Sequence, residues 1–377
     1  MGQPNGNRPG EEAARISRRR ALEITAVAGI GLALGGGLTR ALLERARLHR
    51  IRRTRIQMGT EVTVTMVHSD PVDARRLVDA TFDEIERLEA ILSRYRPEAP
   101  VSRLARDGVL HDPPPELLEV LGRARDLSER TEGAFDVTVA PLLDLYRDRA
   151  GAGREDDPER GLPSEEEIGV ALALVDYRLL RVEDGFVALE RPGMGITLDG
   201  LAKGFIVDRA VATLAAGGAS RVLVEAGGDL ATSGAGPAGR GSGILQDGDS
   251  PDAFGDDCDV SIQDPRDPAT SLGILRLCGE GVATSGDYMH AFTQDRVHHH
   301  ILDPRTGSSP RHTAGVTVVA PSAMDADAFS TAAFVLGPDE GLALLEETDG
   351  VEGLIVGKDG SRVETRGLGR LLGTERL

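Results

Sequence analysis

From Arg55 to Val67 apolar and polar side chains alternate, most plainly in Glu61-Val62-Thr63-Val64-Thr65-Met66-Val67, and a period of two predicts a strand. The period then changes. Ser69, Asp70 and Pro71 form a helix start, with proline in the first turn where its missing N–H costs nothing. Leu77, Phe82, Ile85, Leu88, Leu92 and Tyr95 follow at mostly helical spacings, so an amphipathic helix of about six turns is expected. A proline-rich turn, Pro113 to Pro115, introduces a second helix with Leu117, Leu118, Leu121, Ala124 and Leu127 on one side. Residues 150–165 are charged and glycine-rich and read as a loop.

Further along, Leu179 to Leu189, broken at Asp184-Gly185, predicts a β-hairpin. Gly200 to Ala216 reads as a helix with Ile206, Ala210 and Leu214 inward, and Val222 to Glu225 as a buried strand stopping at Gly227, Gly228 and Asp229. Residues 233–257 concentrate Gly, Asp, Ser and Pro and read as an acidic insertion. Arg296 to Leu302 is expected to be a short strand, closed by the turn formers Asp303-Pro304 and Thr306-Gly307. A strand at Val316–Ala320, a helix at Ala326–Leu336 and a strand–turn–strand around Gly353 to Val363 complete the chain. Strands and helices mix without regular βαβ alternation, which predicts an α+β fold.

Charge and composition alter this picture mainly at the N-terminus. The 377 residues carry a net charge of −18, and residues 1–50 hold nine Arg against four Glu, so the remainder stands at −23. Nucleic acid is thereby disfavoured as a partner, because no basic footprint is available to neutralise phosphates. Residues 1–42 read as a twin-arginine-like signal or membrane anchor: Ser17-Arg18-Arg19-Arg20-Ala21-Leu22 precedes an uncharged run from Ile24 to Thr39. An extracytoplasmic location, with possible membrane attachment through that segment, is the expectation. Residues 43–52 read as a linker and 53–377 as a single catalytic domain. The two cysteines, Cys258 and Cys278, suit either a disulfide in an oxidising compartment or two free thiols, and are too few for a cysteine-based zinc site.

Four of the eight histidines fall in one stretch, at His290, His298, His299 and His300. A histidine beside a turn suits proton transfer, although a satisfied surface cluster looks the same in sequence. The chain has only two lysines, Lys203 and Lys358, against 41 arginines. Lys358 sits in a Gly-Lys-Asp-Gly turn that needs no special explanation. Lys203, among small residues at a helix start, can present a compact ammonium where a guanidinium would not fit. Asp327 and Thr331 stand one helical turn apart, so carboxylate and hydroxyl share a face. With a backbone carbonyl such a pair offers hard oxygen ligands suited to Mg²⁺, though it also reads as a cap followed by a buried threonine. Gly227-Gly228-Asp229 could bring a ligand close to backbone, or simply turn the chain. Met58-Gly59-Thr60, Ser93 with Tyr95, and Gly133-Ala134-Phe135-Asp136 are weaker signals, each a packing feature or a wall for a flat ring. No dinucleotide-binding glycine fingerprint, P-loop or nucleophile elbow is present.

Taken in order, these pieces resemble the bacterial ApbE-type family, the FAD:protein FMN transferases. The resemblance runs from about residue 55 to 360, through MGT at 58–60, LSRY at 92–95, GAFDVTVAPL at 133–142, LDGLAKGFIVD at 198–208, VEAGGDL at 224–230, ATSGDYMHAF at 283–292, HILDPRTG at 300–307 and ADAFSTAAFVLG at 326–337. It implies a T-fold-related catalytic domain that splits the pyrophosphate of FAD and moves FMN onto a threonine hydroxyl of a flavoprotein acceptor, releasing AMP. By the same resemblance Asp327, Thr331 and the carbonyl of Gly200 would hold Mg²⁺, and Lys203 would stabilise charge. His300 would be the base for the incoming threonine, with Asp287 as its orienter or a co-ligand. Met58, Tyr95, Ala134, Phe135, Asp136, Thr197, Asp199, Gly228, Asp229 and Ile301 would line the flavin nucleotide. The pattern departs at Thr197, where an Asp is usual in the family; Asp199, two residues on, is the substitute. Two other functions use the same residues: a Mg²⁺-dependent FAD pyrophosphatase, and an extracytoplasmic FAD-binding protein without turnover.

Overall fold

The computed structural model describes residues 48–152, 161–234 and 259–373. The leader, most of the acidic insertion and Cys258 lie outside the described residues.

The alternation centred on residues 61–67 is one arm of a hairpin. β1 (His49–Gln57) pairs antiparallel with β2 (Thr60–His68), so the expected linker is already strand from His49 onward. The expected strand is interrupted by a two-residue turn, with Met58 at φ 52° and Gly59 at φ 73°. Two successive left-handed residues match the twist of a hairpin. Val62, Val64 and Met66 enter the main core, and helix α1 (Pro71–Leu92) covers them, capped by Asp70 through the amides of Val72 and Asp73. Leu92 is the last buried residue of that helix. Tyr95 lies beyond its end and is 63% exposed, so it is no part of the apolar stripe.

A short helix absent from the sequence reading, α2 (Pro100–Asp107), leads to β3 (Val109–His111) and then to α3 (Pro115–Arg130). Helices α4 (Ala140–Ala152) and α5 (Glu165–Leu172) enclose a satellite core of Leu142, Leu143, Tyr146, Ala171 and Leu302. The predicted hairpin forms as β4 (Leu180–Glu183) and β5 (Phe186–Leu189) and joins β3 in a three-stranded sheet. Helix α6 (Ala202–Ala216) begins two residues later than expected, leaving Gly200 just outside it.

Next come β6 (Arg221–Ala226), β7 (Asp229–Gly234), β8 (Asp259–Gln263), β9 (Ser271–Arg276), β10 (Gly281–Gly286) and β11 (Thr313–Ala320). Helix α7 (Ala323–Glu346), β12 (Glu352–Gly357) and β13 (Arg362–Glu364) close the fold. The main sheet has eight antiparallel strands in the order β1-β2-β6-β7-β10-β11-β12-β13. Helices α1, α6 and α7 pack together against its strands, while the β8–β9 hairpin contributes Ile262 and Leu275 to a second core with Leu230, Val282, Val319, Leu354 and Val356. Every residue of β11 is buried, as expected of a strand covered on both faces. The architecture is α+β. In α7 the regular geometry breaks at Gly337 (φ 83°), followed by Pro338, so its first segment ends at Leu336 as the sequence predicts.

Arg296 to Leu302 is not a strand. Its one ladder contact is an isolated bridge, Ala291 with His299, and the ring of His299 packs edge-on to Phe334. Its backbone is instead tied by bonds to neighbouring loops: Phe292 N to His298 O, and His300 N to His290 O.

Candidate active site

Two hairpin turns meet at one end of the sheet. The Met58-Gly59 turn leads into Thr60, whose hydroxyl lies against Gly227; a Cβ built on Gly227 would be 2.7 Å from Thr60 Oγ1. Gly227 and Gly228 turn β6 into β7 at φ 60° and 101°, and Asp229 is therefore the first residue of a strand rather than part of a loop. Open space faces Gly228, whose amide donates to Glu225 Oε1 at 3.3 Å.

Asp229 is almost wholly buried and accepts a hydrogen bond from Lys203 Nζ. Burial alone would discharge this lysine; the carboxylates of Asp229 and Asp327 outweigh that and hold its pKa above the ordinary lysine value. Asp327, on the first turns of α7, is buried too. Its pKa is driven well above 3.8, first by burial and then by Asp229, against the opposing pull of Lys203 and of the Gly204 amide at 3.4 Å. Two buried carboxylates thus share one half-buried ammonium, a net deficit of positive charge.

One turn further along α7, Thr331 Oγ1 is 3.2 Å from Ser285 Oγ on β10, and Ser285 also meets Ser330 Oγ at 2.8 Å. Thr331 and the ring of Phe135 both abut Gly200: a Cβ there would lie 3.2 Å from Thr331 Oγ1 and 3.4 Å from Phe135 Cε2. Gly200, Lys203, Asp229, Asp327, Thr331 and Phe135 are therefore brought together. Among the described residues no three His, Cys, Asp or Glu side chains converge as a metal cluster. A cation here would need a hydroxyl and a carbonyl as well as carboxylate.

The rim of this region is aromatic and charged. Tyr95 Oη donates to Asp199 Oδ2 at 2.9 Å, and Arg147 lies 3.8 Å from the same oxygen and 5.5 Å from the Tyr95 ring centre. Thr197, buried, accepts from the Asp199 amide at 3.3 Å, fixing the turn before Gly200. Arg147 carries no motif and was invisible in the sequence, one arginine among 41. The His300 ring meets His290 edge-on at 5.2 Å. Burial, then His290, His299 and Arg147, push its pKa down to about 3, so the imidazole is neutral and able to accept a proton. Ala134 and Ile301 are buried in the main core, and Met58 is half-buried against it.

Two expected site residues face elsewhere. Asp136 caps the turn at Val137–Val139: Oδ1 accepts from Thr138 N and Oγ1, both at 2.7 Å, and Oδ2 from Tyr177 N at 2.8 Å. Asp287, fully buried, is not the orienter of His300. Both its oxygens are taken by Arg266 at 2.8 Å, Lys358 Nζ stands 3.5 Å away, and His300 Nδ1 has no hydrogen-bond partner. Lys358 also donates to Arg296 O at 2.7 Å, so it has a purpose its turn sequence hid: it pins the histidine loop. Asp287→Ala is expected to lower stability by on the order of 2–3 kcal/mol in urea melts, less than for a fully enclosed pair because Arg266 is one-third exposed.

The sequence profile of the ApbE family matches residues 58–355. The chain belongs to the ApbE family. A FAD:protein FMN transferase of Treponema pallidum is 31% identical over 339 residues, covering 84% of this chain and 86% of that protein. Another, from Haemophilus influenzae, is 29% identical over 80% of this chain and 85% of its own length. Among solved structures, the apo flavinyl transferase ApbE of Pseudomonas stutzeri superposes with a TM-score of 0.70 at 29% identity, covering 87% of this chain and 98% of that one. The ApbE protein of Thermotoga maritima gives the same score and identity over 86% and 99%. The ApbE match spans both the carboxylate–lysine cluster and the histidine loop.

Proposed function

We propose that this chain is a FAD:protein FMN transferase, which moves FMN from FAD onto a threonine hydroxyl of a flavoprotein acceptor and releases AMP. The observation that carries the reading is the group of Lys203, Thr331 and Gly200 around the buried Asp229 and Asp327, within a chain matched along most of its length by proteins of that name. The charge deficit at Asp327 and Asp229, with the Thr331 hydroxyl on the same helix face and Gly200 against it, fits Mg²⁺, which takes oxygen ligands. Asp327, Thr331 and the Gly200 carbonyl would hold the ion, whose chemistry is neutralisation of pyrophosphate charge.

The chain's own residues then have separable parts. Lys203, kept charged by its two aspartates, places a fixed positive charge beside the phosphates. Tyr95, exposed and held by Asp199, offers aromatic surface to the flat rings of the nucleotide, and Phe135, buried against Gly200, backs the site. His300, neutral, takes the proton from the acceptor hydroxyl at Nε2 or Nδ1 as the oxygen attacks phosphorus. The N-terminal segment supports export by a twin-arginine route and work outside the cytoplasm, with possible attachment to the membrane.

The test uses protein lacking residues 1–47, incubated with FAD, Mg²⁺ and a flavoprotein domain bearing a target threonine. A mass gain on the acceptor equal to FMN, with AMP released and dependence on Mg²⁺, is the expected result. AMP and free FMN without acceptor labelling would instead identify a pyrophosphatase, and intact bound FAD a carrier.

A further inference from the structure

Helix α7 carries both Asp327 and Thr331, and in its first three turns it packs through alanines and one fully buried large side chain, Phe329. It is apolar on nearly every side in its first three turns, where Ala323, Ala326, Ala328, Ala332 and Ala333 are all buried. Phe329 supplies one large ridge there, and the alanines around it leave the rest of the circumference smooth. Aiming its carboxylate to the accuracy a cation needs takes a further, directional constraint.

The polar contacts at the helix start supply it. Ser322 Oγ accepts from the Asp325 amide at 3.0 Å, which satisfies one orphan donor of the first turn. The two preceding amides are not capped from within the helix. They are taken by one carboxylate from α6: Asp208 Oδ1 accepts from Ala323 N at 2.8 Å and Oδ2 from Met324 N at 2.9 Å. A two-point grip on successive amides fixes both the height and the rotation of a helix, where a single bond would act as a pivot. The contact is made close by two glycines. A Cβ at Gly204 on α6 would sit 2.2 Å from Ala323 O, and one at Gly281 on β10 would sit 2.2 Å from Ala323 N. Ala323 is thus wedged between α6 and the sheet, and Asp327 lies one helical turn beyond it on the same face. Lys203 and Asp208 share α6, so the element that presents the ammonium also aims the carboxylate.

We propose that Asp208 is a positioning residue for the reaction: its carboxylate locks the start of α7 so that Asp327 and Thr331 keep the geometry a divalent cation demands. The proposal rests on the reading of Asp327 and Thr331 as cation ligands. Metal ligands tolerate displacements of about 0.2 Å, so a small slip of α7 costs affinity before it costs the fold. Asp208→Asn preserves size and one acceptor but turns an amide donor toward one of the two N–H groups.

The experiment is a Mn²⁺ titration followed by electron paramagnetic resonance, on wild type, Asp208→Asn and Asp208→Ala, well below each melting temperature. Mn²⁺ affinity is expected to fall about tenfold or more in Asp208→Asn, within the range typical of residues that orient metal ligands. The Mg²⁺ concentration giving half-maximal transfer should rise by the same factor, with the KM for FAD within about twofold of wild type. If Asp208→Ala does not fold, Asp208→Asn carries the test. Unchanged Mn²⁺ affinity in folded Asp208→Asn, even with a lower melting temperature, would overturn the proposal by reducing Asp208 to a stability role. Wild type that binds no Mn²⁺ would sink the ligand reading itself, a result distinguishable from the first.

Discussion

Asp327→Asn is expected to abolish FMN transfer, by about 10³-fold or more, while leaving the protein at least as stable as wild type in metal-free buffer. The two effects have opposite signs for one reason. Asp327 is buried beside Asp229 with only Lys203 to balance both charges, so its ionised form is costly to the empty fold. An amide of the same shape removes that repulsion. The same substitution removes the anionic oxygen that would hold the cation, and losing about 4 kcal/mol of charge stabilisation corresponds to roughly three powers of ten in rate. Thermal melts with and without Mg²⁺ provide the check. Wild type should melt higher with the ion, by ordinary linkage of binding to folding, and Asp327→Asn should not respond. A stabilising response to Mg²⁺ that survives the substitution would place the cation elsewhere.

His300→Ala is expected to lower transfer to the acceptor by roughly 10²- to 10⁴-fold, the usual range for loss of a positioned base, with FAD affinity little changed by calorimetry. The pH dependence follows from the direction of its shift. With its pKa near 3 instead of the ordinary 6.5, His300 stays a proton acceptor down to pH 5, so transfer should show no half-point near 6.5. His299, pushed down to about 4 mainly by burial, behaves alike. Both groups bind protons more readily unfolded than folded. The stability they allow is complete above about pH 6.5 and is lost as pH falls through 6.5 towards 4 and then 3. Substituting either histidine with a neutral residue should flatten that part of the stability–pH curve. A wild-type acid limb of activity centred on 6.5 would argue that another group is the base.

The broad class and most elements were legible from periodicity: the six-turn helix, though it stops at Leu92 and short of Tyr95, the Asp184-Gly185 hairpin and the first segment of α7 ending before Gly337. What periodicity hid was pairing. The strand centred on residues 61–67 shows its alternation because Val62, Val64 and Met66 enter the main core while Thr63 and Thr65 occupy the other face, whereas β1, an edge strand with four arginines, has no such contrast. The histidine run looked like a strand because it was bounded by turn residues, but backbone bonds to residues 290 and 292 and the distant Lys358 side chain order it, and no local pattern reports those. The site shows the same division. Lys203, Asp327 and Thr331 stood out through rarity or helical spacing, and the fold brings them together. Asp287 was paired with His300 by the family resemblance; three-dimensional neighbours Arg266 and Lys358 claim it instead. Asp208, hidden within a motif read for its lysine, caps a helix 115 residues away.

The scarcity of lysine has a practical side. A protease specific for lysine would find only two cleavable bonds in this chain, and amine-acylating reagents only two side-chain targets. Both ammonium groups are engaged with buried aspartates, Lys203 with Asp229 and Lys358 with Asp287. One target reports the opening of the nucleotide end of the sheet and the other the loosening of the histidine loop. The protein therefore comes with two built-in chemical reporters at the places whose motion matters, readable by mass spectrometry without inserting a label.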